Sequence, residues 1–278
     1  MANFQVSFMS EVLLRTVSFQ AILPVDKITR KQEDLPDDYR FKTLYLFHGI
    51  FGSNEDWLVG TRIQRYAMEH NLAVIMPSGE NSFYIDNYDS GNMYGEYFGE
   101  ELVKITRKMF PLSNRREDTF IGGLSMGGYG ALRNGLKNND TFGRIVALSS
   151  ALMVEPEDLP EERKPVTDRS GRIVEACFRH AGEQESVRAL ARNLMAHKSA
   201  GEEVNIPEIY LAVGTEDPIV EKSREYHAFL NSIGYGHTYE EGSGTHDWIF
   251  WDKYIEKAMD WLPLDKGTTG LNSGNVQE

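Results

Sequence analysis

The pentapeptide Gly123-Leu124-Ser125-Met126-Gly127 has the form G-x-S-x-G and can present a serine nucleophile. The apolar run Thr119 to Gly122 precedes it and a helical pattern from Met126 to about Lys137 follows, which is the strand–turn–helix context the motif requires. A nucleophile on so tight a turn has strained backbone angles. The positions two before and two after it have room only for small residues, and both are glycine here. A serine hydroxyl is a weak nucleophile at neutral pH, so it needs a general base and a carboxylate to orient that base. In this context the chain order is serine, acid, histidine.

Five histidines follow Ser125: His180, His197, His227, His237 and His246. His180 and His197 lie in a long connection, His227 in a helical pattern and His237 at the start of a strand. His246, in the loop Gly242-Ser243-Gly244-Thr245-His246-Asp247-Trp248, is the one placed to reach over the carboxyl edge of a sheet. The acid falls in Gly214-Thr215-Glu216-Asp217-Pro218, after a late strand. Asp217 is preferred to Glu216 for its shorter side chain, although with Pro218 at the first helical position it would also serve as a helix cap. An oxyanion hole completes the chemistry: Met126 N–H from the residue after the nucleophile, and Ile50 N–H from the loop His48-Gly49-Ile50-Phe51-Gly52. His48 itself suits a structural role in that loop.

Other chemistries fit less well. A phosphate-binding loop needs Lys and Ser or Thr where the chain has Gly128 and Tyr129, and a dinucleotide fingerprint needs glycine where it has Arg133. No HExxH or calcium-loop spacing occurs, and Asp86 with Asp89 reads as a polar turn, so neither metal nor cofactor is expected. The single cysteine, Cys177, excludes an intramolecular disulfide and falls away from every catalytic motif.

These residues need a frame. Short apolar runs without strict alternation (Leu44–Phe47, Leu72–Met76, Thr119–Gly122, Arg144–Leu148, Ile209–Val213) alternate with helical spacing, as at Phe98, Leu102, Ile105 and Met109 or Trp248, Trp251, Ile255, Met259 and Leu262. This reads as an α/β fold: a mostly parallel sheet with helices on both faces and an antiparallel hairpin at its edge from the first 24 residues. Residues 1–262 form one domain, 151–206 an inserted cap, and 263–278, rich in Gly, Ser, Thr and Asn, a disordered tail. The 278 residues, 41% hydrophobic and 26% charged, suit a globular protein, and the net charge of −13 argues against a nucleic-acid partner. The N-terminal MANFQVSFMSEVLL lacks the pattern of a signal peptide, and no apolar run is long enough for a membrane span. A cytoplasmic protein is expected, with oligomeric state left open.

The segments LFHGIFGSNEDW, GGLSMGGYGAL, GTEDP and THDWIFWDKYI, in this order across residues 5 to 262, resemble the tributyrin esterase branch of the esterase D-like α/β-hydrolases. Relatives of that branch include S-formylglutathione hydrolases, feruloyl and acetyl-xylan esterases and mycolyltransferases. The resemblance implies an α/β-hydrolase fold with nucleophile Ser125, acid Asp217, base His246 and oxyanion donors Ile50 and Met126. It further implies that SFYIDNYDSGNMYGEYFGEEL borders the site, with Trp57, Tyr84 and Trp248 as substrate-binding residues. The family's S-formylglutathione hydrolases carry threonine-cysteine after His-Gly. Ile50-Phe51 stands there in this chain, against the glutathione thioester as main substrate. The expected activity is a cofactor-free serine carboxylesterase acting on short-chain acyl, acetyl or feruloyl esters, including those of carbohydrates, through an acyl-enzyme. An acyltransferase using the same triad, or a catalytically silent binding module, are the alternatives.

Overall fold

The computed structural model describes residues 2–28, 36, 38–154, 168–179 and 181–276. Strands β1 (Ala2–Ser10) and β2 (Arg15–Leu23) form the antiparallel hairpin, paired from Ala2↔Leu23 to Ser10↔Arg15. β3 (Lys42–Phe47), α1 (Asp56–Gly60), α2 (Ile63–Glu69) and β4 (Leu72–Pro77) follow. A small ribbon of β5 (Asp86–Asn87) and β6 (Asn92–Met93) leads into α3 (Tyr94–Glu96), a π turn at Tyr97–Glu101 and α4 (Leu102–Met109). The second half runs β7 (Thr119–Leu124), α5 (Met126–Lys137), β8 (Arg144–Leu148), α6 (Arg169–Phe178), α7 (Val187–Ser199), β9 (Glu208–Gly214), α8 (Val220–Ser232), β10 (His237–Gly242) and α9 (Trp248–Trp261).

Eight strands make one sheet in the order β1-β2-β4-β3-β7-β8-β9-β10, parallel from β4 to β10. From β3 the chain moves first to β4 on one side and later to β7 on the other. The carboxyl ends of β3 and β7 therefore flank a topological switch point, where a crevice opens above the sheet.

Successive residues of the central strands enter opposite cores. Tyr45 and Phe47 pack with Ile121, Tyr129, Leu132 and Ile145 on one face. Leu44 and Leu46 pack with Phe120, Val146, Trp251 and Ile255 on the other. Both faces are covered, which is why the strands read as unbroken apolar runs. Each large apolar side chain buried in this way contributes about 1.5–3 kcal/mol.

Three expectations are corrected. In α4 the buried positions are Leu102, Val103 and Thr106, whereas Met109 is 45% exposed. The π turn just before it adds a residue to the helical repeat and rotates the apolar face out of the register its spacing suggested. The tail is not loose through residue 276: Gly267 N–H donates to the Glu69 carbonyl and Leu271 N–H to that of Ile28, laying the segment back on the domain. Finally, residues 151–206 are not one insert. α7 packs on α5 as the crossover helix between β8 and β9, with Ala191 and Leu194 in the core and Ser186 capping it by accepting Ala189 N–H. α6 is separate from it. Phe178, at its end, packs against Phe83 and Tyr129 at ring separations of 5.2 and 5.5 Å. Residues 155–167 and His180 lie outside the described residues.

Asp86 is not a turn residue facing water. It lies in a buried ion cluster with Arg133, whose guanidinium is 3.1 Å from Asp86 and 2.7 Å from Glu185. Tyr129 O–H donates to the Glu185 carbonyl at 2.6 Å, so the cluster ties the start of α7 to α5 and the β5 segment. Among the described residues no helix is long and apolar enough to cross a membrane.

Candidate active site

Ser125 has φ 53° and ψ −117°, a conformation an L-residue adopts only when its surroundings impose it. The imposing contacts are visible. Its N–H donates to the Leu148 carbonyl at 2.9 Å, and its own carbonyl accepts from Tyr129 N–H at 3.1 Å and Ala151 N–H at 3.0 Å. A Cβ at Gly123 would fall 2.4 Å from the Gly127 carbonyl oxygen, and one at Gly127 2.5 Å from those of Phe47 and His48. Backbone leaves no room at either place, as the motif's spacing suggested. Ser125 is half-exposed between fully buried neighbours. Met126 opens α5, and an N–H at that position has no acceptor within its own helix.

The loops after β9 and β10 bring two more groups to the same edge of the sheet. His246 Nδ1 lies 2.9 Å from Asp217 Oδ2. The other Asp217 oxygen accepts Ile219 N–H at 3.0 Å, and the side chain is fully buried. Burial, the largest single influence, pushes this carboxyl upward, but hydrogen bonds from His246, Ile219 and Ser149 outweigh it and hold the group below its ordinary value. Asp217 therefore stays ionised and keeps the imidazole proton on Nδ1, leaving Nε2 free to accept another. Glu216 is turned elsewhere: its carboxylate accepts Gly244 N–H at 2.6 Å. α8 starts at Val220, so Asp217 stands before the helix rather than at its cap position.

The loop after β3 approaches from the other side of the switch point. A Cβ on Gly49 would sit 3.6 Å from Ser125 Cβ, which brings the Gly49–Ile50 peptide beside Ser125. That peptide's carbonyl, on Gly49, accepts His48 Nδ1–H at 2.7 Å and Gly52 N–H at 3.2 Å. Because a trans peptide directs its N–H opposite to its carbonyl, these two bonds set the direction of Ile50 N–H. His48 Nε2 accepts Gly79 N–H at 2.8 Å, which fixes the tautomer. Burial lowers the His48 pKa, against the opposing effects of the Gly49 carbonyl and Asp56, and keeps the ring neutral.

The aromatic residues expected at the pocket are placed differently. Trp57 is 1% exposed and donates Nε1–H to the Phe47 carbonyl at 2.9 Å. Tyr84 is fully buried, stacked on Phe47 at 4.2 Å, with its hydroxyl donating to the His48 carbonyl at 2.9 Å. Both are core residues that support the β3 loop rather than accessible walls. Trp248 is half-buried over Gly60, where a Cβ would come within 2.4 Å of its ring. The ring beside the histidine is Trp251 instead, perpendicular to His246 at 5.0 Å and donating Nε1–H to Ser149 Oγ at 3.2 Å. Sequence reasoning placed Trp251 only on a periodic helix face and missed Ser149, which carries no motif and is fully buried at φ 43°. Cys177 is not remote from the site either, since its Sγ lies 3.3 Å from the Asn81 carbonyl, in the segment that packs on the β3 loop. Exposed apolar side chains flank the site: Phe51 on the loop that carries Ile50, and Ile249 in the first turn of α9, just after His246.

Among the described residues no group of three or more His, Cys, Asp or Glu is arranged to hold a metal ion. A cavity of about 900 Å³ lies away from this edge, between α2 and residues 267–275. A strained serine, a histidine–aspartate pair and two backbone N–H groups, one on the β3 loop and one at the start of α5, form a set suited to acyl transfer through serine.

A family model described as "Putative esterase" matches residues 10–262. The acetyl esterase of Caldicellulosiruptor saccharolyticus is 42% identical over 266 residues, covering 94% of this chain and 98% of that protein. Two solved Staphylococcus aureus structures share the fold. One is the substrate-bound fluorophosphonate-binding serine hydrolase FphF, with 29% identity, a TM-score of 0.78 and coverage of 94% and 98%. The other is the S-formylglutathione hydrolase FrmB, apoenzyme, with 29% identity, a TM-score of 0.76 and the same coverage.

Proposed function

The chain belongs to the esterase family and is an esterase of α/β-hydrolase fold, and on that premise we propose that it is a cofactor-free serine carboxylesterase of short acyl esters. The observation that carries the reading is the hydrogen bond of half-buried His246 to buried Asp217 at 2.9 Å, on the same sheet edge as the strained Ser125. Ser125 Oγ attacks the ester carbonyl as His246 Nε2 takes its proton. The negative charge that moves onto the carbonyl oxygen is held by Ile50 and Met126 N–H. His246 returns the proton to the departing alcohol, leaving an acyl-enzyme. It then draws a proton from water, which attacks the acyl carbon and releases the acid and Ser125.

The acetyl esterase relative at 42% identity favours acetyl and similar short acyl groups, on small-molecule or carbohydrate alcohols. The net charge of −13 disfavours strongly anionic substrates. Cytoplasmic location is part of the proposal, supported by the single cysteine. The test has two parts. A fluorophosphonate probe should label the wild type and not Ser125→Ala. A panel of p-nitrophenyl acetate, p-nitrophenyl butyrate, methyl ferulate and a glutathione thioester should rank acetate or butyrate first. Equal labelling of both proteins refutes the nucleophile, and a thioester ranked first refutes the substrate class. Product formed on an added alcohol in preference to water would move the reading to an acyltransferase.

A further inference from the structure

The segment from Gly79 to Tyr84 grips the β3 loop at three points. Gly79 N–H donates to His48 Nε2 at 2.8 Å, Tyr84 O–H to the His48 carbonyl at 2.9 Å, and Phe51 N–H to Asn81 Oδ1 at 2.8 Å. The first two contacts act on His48, on the near side of Ile50. Only Asn81 acts on the far side.

This asymmetry matters for the Ile50 N–H. The peptide before Ile50 is fixed through the Gly49 carbonyl by His48 and Gly52. The peptide after it is fixed through Phe51 N–H by Asn81. Phe51 holds φ 67° with its ring 69% exposed, so no packing of that ring accounts for a conformation bulky residues avoid. The gripping segment is itself strained, with positive φ at Glu80 (49°), Phe83 (53°) and Tyr84 (60°). Backbone of this kind persists only where surrounding contacts over-determine it, and here it faces a loop whose N–H must be aimed.

We propose that Asn81 is a positioning residue for the oxyanion hole, clamping the Ile50–Phe51 peptide so that Ile50 N–H points at the carbonyl oxygen of the reacting ester. The proposal rests on the reading above in which Ile50 N–H is one of the two donors. α6 backs the clamp. Cys177 Sγ–H donates to the Asn81 carbonyl at 3.3 Å, and Asn87 Nδ2 donates to the Ala176 carbonyl at 3.0 Å. Burial raises the Cys177 thiol to about 11, so it remains a donor at neutral pH.

The experiment compares full-length wild type, Asn81→Ala, Asn81→Asp and Ser125→Ala for p-nitrophenyl acetate hydrolysis and for inhibition by an aryl trifluoromethyl ketone. The serine adduct of that ketone places an oxyanion in the hole. Asn81→Ala should lower kcat by about 10- to 100-fold with KM little changed, and weaken the ketone by the same factor. Asn81→Asp keeps an acceptor for Phe51 N–H and should regain a large part of both. A wild-type kcat in Asn81→Ala, a lost kcat with undiminished ketone affinity, or an Asn81→Asp no better than the alanine variant each overturns the clamp. Wild-type turnover by Ser125→Ala would instead refute the nucleophile reading on which it rests.

Discussion

Replacing Asp217 by asparagine tests the catalytic assignment with little change in shape. Of the two carboxylate oxygens, one accepts Ile219 N–H at 3.0 Å and the other faces His246 Nδ1 at 2.9 Å. An asparagine has one acceptor oxygen. Ile219 N–H belongs to the backbone and cannot turn away, so the amide oxygen goes to it and the NH₂ group faces the ring. His246 must then accept at Nδ1 and carry its proton on Nε2, which leaves nothing to take the proton of Ser125. The consequence is a correctly folded enzyme with the wrong tautomer. The expected loss is about 10⁴-fold in kcat, close to 5.4 kcal/mol of transition-state stabilisation. The assay is p-nitrophenyl acetate turnover between pH 6 and 10, with thermal melting as the control for folding. Activity should be restored in part at high pH, where hydroxide replaces the missing base. A variant within about tenfold of wild type at pH 7 would refute the idea that Asp217 sets the tautomer.

Three further outcomes follow from the same geometry. Ser125→Gly should abolish turnover yet be more stable to unfolding than Ser125→Ala by roughly 1 kcal/mol, because glycine accepts φ 53° without strain; equal stability in urea would argue against stored strain at the turn. Stability should fall as pH drops below the ordinary histidine value of 6.5: burial lowers the pKa of His48, His70 and His237, so in that window the unfolded chain binds more protons than the folded one. A urea midpoint no lower at pH 5.5 than at 7.5 would contradict this. Arg133→Met should cost about 3–5 kcal/mol, since it strips Glu185 of its buried partner and leaves Asp86 only the half-exposed Lys137 at 3.6 Å; a urea midpoint near wild type would show that Lys137 is partner enough for both carboxyls.

The parts of the site that were legible in the sequence are those where one residue type answers one local demand. Gly123 and Gly127 are forced by backbone atoms within 2.5 Å, and such a demand leaves a readable pentapeptide. The strands were legible because both faces of the sheet are covered. The burial of Trp57 and Tyr84 was not, because an aromatic side chain serves a pocket wall and a core equally well, and only their bonds to the Phe47 and His48 carbonyls separate the two. Ser149 and Asn81 were invisible for another reason. Each is tied by hydrogen bonds to residues distant in sequence, and no spacing encodes that. The register of α4 was lost to a π turn, which no apolar period announces.

The loops bearing Asp217 and His246 are stitched to each other. Thr215 N–H donates to the Gly242 carbonyl at 2.9 Å, Glu216 N–H to that of Gly244 at 3.1 Å, and Gly244 N–H to the Glu216 carboxylate. Neither loop can open by itself. In hydrogen exchange the amides of Thr215, Glu216 and Gly244 would then be released together, as one cooperative unit with a shared opening free energy. Thermal fluctuation would move Asp217 and His246 away from Ser125 in a single event, so partial loss of activity on warming would be all-or-none in each molecule rather than a gradual loosening of the pair.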